Sequence, residues 1–193
     1  MKTLLLHSCC AVCTIGALHA LKNQNTEYDI TLYFCNDNID NKDEFERRLP
    51  FSTQNAQRTT NNDFDAISPK MITEPYSPNN FFGIAKELGQ EKEGGERCKK
   101  CFQLRLEKTF KKAKELGFDF FSTTLPISPH KNSKIIFEIG EKLSTINSGA
   151  MNPKFVPIDF KKNNGFGKAI ELSKKMELYR QNYCGCEFSK RRH

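Results

Sequence analysis

The chain predicts an α/β fold, an open and mostly parallel sheet with helices on both faces, and three observations point to it. Short apolar runs alternate with longer segments of helical period, the pattern of strand–helix–strand units. Residues able to do chemistry follow directly on several predicted strands, at the rim where such sheets bind ligands. The 193 residues carry no repeat, low-complexity run or linker that divides them, so a single domain is expected over 1–193.

In chain order, Lys2–Leu6 is a short buried strand and Ala11–Leu21 a helix of small residues close behind it. Ile30–Phe34 is a second strand, ending at Cys35-Asn36, and Lys42 to about Gln57 has a charged helical pattern. Lys70–Thr73 is a third strand. Pro78 opens a helix to about Leu88, since proline lacks an N–H that a first turn leaves unpaired anyway. From Cys98 to Leu116, the residues Phe102, Leu106, Phe110 and Ala113 recur at three- and four-residue steps among Lys and Glu, an amphipathic stripe. Gly117 stops that helix, and Phe118–Thr123 is a fourth strand. Asn132 to about Leu143 is a helix, Phe155–Ile158 a fifth strand and Gly165–Leu178 a last helix. The final fifteen residues, 179–193, have no period and are expected to form a tail over the site.

Hydrophobic residues make up 37% of the chain and mean hydropathy is -0.62, so the surface is very polar. Sixteen Phe and regular apolar runs still exclude a disordered chain. No run approaches the roughly 18–20 apolar residues of a membrane span. The leucines at Leu4–Leu6 stop well short of a signal-peptide core of about 7–15 residues. A cytoplasmic location without membrane contact is expected, where cysteines stay reduced. The net charge of +7 suits a polyanionic partner such as nucleic acid. Arg97, Lys99, Lys100 and Arg105 crowd the middle of the chain, and Lys190-Arg191-Arg192 its end.

Both basic groups sit beside cysteines. Seven of the eight cysteines fall into three tight clusters, Cys9-Cys10-x-x-Cys13, Cys98-x-x-Cys101 and Cys184-x-Cys186. Such spacings cannot staple distant parts of a fold; they converge thiolates on a metal or cycle as redox dithiols. Cys9, Cys10 and Cys13 lie where a strand turns into a helix, and Cys98 with Cys101 opens the long middle helix. A helix start favours anions, so low thiol pKa values are expected there. Four thiolates suffice for an iron–sulfur cluster or a zinc site. A closed structural zinc leaves three thiols idle, which favours iron–sulfur. A zinc-containing RNA-binding module and a thiol–disulfide oxidoreductase stay open as alternatives. Cys35 fits an ordinary buried cysteine.

Longer blocks carry a resemblance. They include Leu4–Cys13 (LLLHSCCAVC), Asn36-Asp37-Asn38-Ile39 with Glu44 and Arg47, Arg97–Phe102 (RCKKCF) with Arg105-Leu106, and Gly117-Phe118-Asp119. They continue through Thr123-Thr124-Leu125, Ser128–Asn132 (SPHKN), Asp159–Lys162 (DFKK) and Leu178–Cys186 (LYRQNYCGC). In these blocks the chain resembles, essentially end to end, the QueH-type epoxyqueuosine reductases. Val12 and Asp37 stand where family members often have proline.

The resemblance implies a nucleotide alpha-hydrolase-like, Rossmann-like fold. It implies an oxidoreductase with a 4Fe-4S cluster and a further mononuclear iron, reducing epoxyqueuosine in the anticodon loop of tRNA with electrons from a low-potential donor. On that basis Cys9, Cys10, Cys98 and Cys101 are expected as metal ligands. Cys13, Cys184 and Cys186 are expected to join a second metal or relay electrons as a redox-active pair, and His7 to donate a proton or orient an oxygen. Expected substrate contacts are Asn36 and Asn38, Lys131 and Asn132 at a helix start suited to phosphate, and the cations Arg47, Arg105, Lys161, Lys162 and Arg180. Tyr179 and Tyr183 are expected to stack on an unpaired base.

Overall fold

Leu4, Leu5 and Leu6 have no exposed surface, because their strand, β1 (Lys2–His7), lies at the centre of a sheet covered on both faces. In a computed structural model of the chain, which describes residues 1–24, 28–49, 69–146 and 152–190, β1 is flanked by β2 (Tyr28–Phe34) and β4 (Phe120–Thr123). β3 (Lys70–Thr73) and β5 (Lys154–Phe155) form the edges, giving the order β3-β2-β1-β4-β5 with every neighbouring pair parallel. Each leucine buried this way contributes about 1.5–3 kcal/mol by leaving water.

The described helices are α1 (Ala11–Asn23), α2 (Lys42–Arg48), α3 (Asn79–Glu87), α4 (Glu96–Glu115), α5 (Ser133–Ile146) and α6 (Gly165–Lys175). α1 packs on α6, while α4 packs on β1, β4 and α5. α1 is buried along most of its length, and its small side chains allow the close approach. A Cβ at Gly16 would stand 2.5 Å from the Ala169 Cβ and equally close to the Ile127 side chain. The stripe expected on α4 is present: Phe102, Leu106, Phe110 and Ala113 are all buried, with Phe110 edge-on to Phe121 of β4 at 5.4 Å.

Several boundaries differ from expectation, and three of them have a local reason. β5 stops at Phe155 because Pro157 has no N–H for the ladder. β4 begins at Phe120, since the Phe118 N–H closes α4 by bonding to Ala113 and the Asp119 carboxylate accepts from the Thr3 backbone N–H and hydroxyl. α6 ends at Lys175: Glu177 adopts φ 49°, and the Leu178 N–H turns back to the Ser173 carbonyl. The continuation of the second helix to Gln57 lies outside the described residues; within them α2 ends at Arg48. No described helix is long and apolar enough to cross a membrane.

Candidate metal centre and substrate cavity

The strand order reverses between β1 and β4, and in open α/β sheets that switch point opens a crevice at the carboxyl ends. Here the Ser8 N–H donates to Tyr33 (2.8 Å) and the Thr124 N–H to His7 (2.9 Å), fixing the two strand ends side by side. Cys9 and Cys10 occupy the turn that follows. Cys10 caps α1, its Sγ accepting from the Cys13 N–H at 3.4 Å. The three sulfurs of Cys9, Cys10 and Cys13 lie within 4.8 Å of one another and are buried. Donors surround them: the Thr124 hydroxyl reaches Cys9 Sγ at 3.3 Å and the Gln181 amide reaches Cys10 Sγ at 3.0 Å.

This triad opens into a cavity of about 300 Å³ whose wall includes Cys9, Cys13, Lys131, Phe166, Arg180 and Gln181. A smaller adjoining cavity, about 20 Å³, is lined by Cys98, Cys101, Cys184 and Cys186 together with Asn38 and Arg105. Arg105, His130, Lys131 and Cys184 border both. The geometry therefore groups Cys13, rather than Cys98 and Cys101, with Cys9 and Cys10, and sets the other two pairs against each other next door. Cys35 lies in neither wall.

The expected low thiol pKa values hold for Cys9 alone. Contacts from Cys10 and Cys13, helped by Lys131 and Arg105, hold its thiol well below the usual range against burial. At Cys10 the contact with Cys13 pulls downward, but hydrogen bonding to Cys9 and burial push the thiol up to about 11. Cys13 is raised by its hydrogen bonds to Cys10 and Cys9 and by burial. Burial raises Cys98, and it pushes Cys101 up to about 11 and Cys186 to about 12. Desolvation outweighs the helix start wherever no donor or cation compensates. A bound metal ion reverses that balance, because its charge favours thiolate. Three convergent buried sulfurs with donors aimed at two of them, and four more thiols adjoining, form a donor set that fits an iron–sulfur centre.

Several expected substrate contacts turn out to be interior or supporting. His7 is fully buried and borders neither cavity. Its Nδ1 lies 2.8 Å from the Thr123 hydroxyl, and its Nε2 accepts from Arg105 Nε at 3.3 Å. Burial and Arg105 lower its pKa to about 3. The ring thus has both nitrogens engaged, by Thr123 and by Arg105. Arg105 is 3% exposed and donates to Asn36 Oδ1, so it is no surface cation. Asn36 is itself buried, with its amide on the Ser8 carbonyl at 2.9 Å. Asn132 caps α5 by accepting from the Lys134 N–H at 3.0 Å. Lys161 donates to the Lys131 carbonyl at 2.7 Å and braces it. The Tyr179 hydroxyl donates to Glu44 at 2.8 Å, and the Arg47 guanidinium lies 3.9 Å from the centre of the Tyr179 ring. Tyr183 lines the larger cavity and donates to Asp40 at 2.7 Å.

Of the expected substrate contacts, Asn38, Arg105, Lys131, Arg180 and Tyr183 border the cavities. Sequence reasoning missed Phe166, His130 and Gln181. The run Gly165-Phe166-Gly167, a large aromatic between glycines at a helix start, was the available signal for Phe166, which is 40% exposed on the cavity wall.

The family profile described as epoxyqueuosine reductase QueH matches residues 4–192. The chain belongs to the QueH family of epoxyqueuosine reductases. It is 41% identical to the QueH epoxyqueuosine reductase of Staphylococcus epidermidis over 192 residues, covering 96% of this chain and 75% of that protein. The Streptococcus pyogenes relative is 39% identical over 188 residues, 97% of this chain and 70% of that one. The Thermotoga maritima relative is 33% identical over 190 residues, 98% and 91%. Membership makes this chain an oxidoreductase, as the resemblance implied. Among solved structures, the U34-tRNA thiolase NcsA of Methanococcus maripaludis, which carries a 4Fe-4S cluster, matches with a TM-score of 0.50 at 11% identity. That match covers 94% of this chain and 58% of the thiolase, and it supports the Rossmann-like α/β fold.

Proposed function

We propose that this chain reduces epoxyqueuosine to queuosine in the anticodon loop of tRNA, and that it works in the cytoplasm, where tRNA is modified. The observation that carries this is the buried triad of Cys9, Cys10 and Cys13 opening into the larger cavity, in a chain of this family. The thiolates that hold a 4Fe-4S cluster come from Cys9, Cys10, Cys13, Cys98 and Cys101, and the thiol count leaves room for one further iron ion. Cys184 and Cys186 complete that second site or relay electrons as a dithiol. When bound, such a centre supplies electrons one at a time and Lewis acidity toward oxygen.

The protein's own groups then bind, orient and protonate. Removing the epoxide oxygen takes two electrons and two protons, with water leaving. Lys131 borders both cavities and can deliver a proton from Nζ to the departing oxygen. Phe166 supplies an exposed aromatic ring for an extruded base to stack on. Asn38 holds its amide on the Cys184 carbonyl at 3.3 Å, and its Oδ1 has no partner among the described residues, which makes it an acceptor for a ribose or cyclopentene hydroxyl. Exposed Arg180 serves the phosphate backbone at the cavity mouth.

The test is anaerobic incubation of iron-loaded protein with tRNA carrying epoxyqueuosine and a strong reductant. Conversion to queuosine is expected. An intact cluster with no conversion overturns the proposal, and iron and sulfide analysis separates it from a zinc module or a metal-free thiol oxidoreductase.

A further inference from the structure

Three arginines are buried among the described residues, and they differ in what meets their charge. Arg48 lies 2.6 Å from Glu44. Arg97 donates to the carbonyls of Leu88, Gly89 and Glu91 at 2.7–3.1 Å, where the chain turns between α3 and α4. Arg105 is 3% exposed and pairs with no carboxylate among the described residues. Its polar partners are the Asn36 amide oxygen, His7 Nε2 and the Cys101 thiol. The nearby Asp37 is already taken by Lys108 and by Asn80 at 3.2 Å. A guanidinium cannot shed its charge when buried, so one left with neutral partners is strongly disfavoured unless an anion faces it.

The groups around Arg105 show which anion that is. Cys101 on its own helix, Cys9 after β1 and Cys35 after β2 interact with it. Cys101 and Cys9 share its cavity walls, Cys9 has its thiol held low, and Lys131 adds a second cation toward Cys9, Cys13 and Cys184. Burial works against the charge of Arg105, and interactions with those three cysteines more than offset it. The guanidinium is also held in place: Asn36 is pinned to the Ser8 carbonyl and His7 to Thr123. This gives the fully buried histidine its use, since only a neutral ring can accept from Arg105.

We infer that Arg105 is a positioning residue for the reductive step: its fixed charge, anchored by Asn36 and His7, is the interior counter-charge of the thiolate-bound centre and favours that centre's more negative, reduced state. A positive charge this close acts through a low-dielectric interior, so it weighs on the equilibrium between oxidised and reduced forms. The inference rests on the metal centre proposed above and adds which residue sets its readiness to accept an electron.

The test is a redox titration of anaerobically iron- and sulfide-loaded protein with dithionite and mediators, followed by visible absorbance and electron paramagnetic resonance. At a fixed potential Arg105→Gln is expected to show an about tenfold lower ratio of reduced to oxidised centre, about 59 mV for a one-electron couple. Arg105→Lys, which keeps the charge, is expected to stay within about threefold of the unsubstituted protein. Arg105→Gln with full iron and sulfide and an unchanged midpoint overturns the inference. Should Arg105→Gln fail to hold the centre, Arg105→Lys decides: an unchanged ratio upholds it and a tenfold fall overturns it. Unsubstituted protein that takes up no iron or sulfide instead overturns the metal-centre proposal itself.

Discussion

Gly185 separates Cys184 from Cys186 at φ +106°, a conformation that side chains rarely adopt. A Cβ there would also stand 2.9 Å from the Arg48 guanidinium and 3.1 Å from Asn38. Gly185→Ala is therefore expected to cost about 1–3 kcal/mol and to swing the two thiols away from Cys98 and Cys101. A lower Tm and reduced iron content would check it. The eight cysteines are separable by the same measurement. Cys35 is buried, its thiol pushed up to about 12 by burial, and it borders neither cavity. Cys35→Ser is expected to keep full iron, whereas Cys13→Ser, inside the triad, loses most of it. Equal iron in both would remove Cys13 from the ligand set. That the clustered cysteines come together was legible from their spacing. That Arg105, Asn36 and His7 stand behind the thiols was not, because no local signal distinguishes a cation bound for solvent from one bound for an interior anion.

Among the elements, the strands and helices were readable where period and propensity agree, as in β1, β3 and α4. They were misjudged where a single residue decides, such as Pro157 at the end of β5. The tail has no period at all, and its order comes from partners far away in sequence. The segment from Asn38 to Arg48 docks it: the Asp40 N–H donates to the Gly185 carbonyl at 2.9 Å, Arg48 to the Tyr183 carbonyl at 3.1 Å, and Lys190 pairs with Asp40. Arg48 also forms the buried ion pair with Glu44, both side chains less than a tenth exposed. Removing one partner of such a pair strands the other, at a cost of about 3–5 kcal/mol. Arg48→Met is accordingly expected to lower Tm and to make residues 176–190 the first site of limited proteolysis. Unchanged cleavage there would show that the tail docks without this clasp. Asp37 adds a more exposed tie: its ion pair with Lys108 fastens its loop to α4.

For the molecule as a whole, the charge balance matters more than any single cation. Thirty Lys and Arg against twenty-three Asp and Glu give the net +7, and the structure sorts the basic residues by job. Arg48, Arg97 and Arg105 are interior, and Lys161 braces Lys131, so none of these four is free for a phosphate backbone. Arg47, Lys162 and Arg180 are exposed, and Arg180 borders the cavity itself. Binding carried by phosphate contacts weakens linearly in log–log terms as salt rises, by about 0.7–0.9 for each contact. Replacing Arg47, Lys162 and Arg180 together by Gln should therefore weaken tRNA binding most at low salt. It should also flatten the salt dependence by about two units of slope if all three touch phosphate. Iron content should not change, since the side-chain donors to the triad sulfurs are Thr124 and Gln181 and none of the three replaced residues. Fluorescence anisotropy with labelled tRNA across a salt series checks both quantities. A triple variant with the original slope would move the tRNA footprint elsewhere on the surface, whereas a flattened slope with intact iron locates it at the mouth of the thiol-lined crevice between β1 and β4.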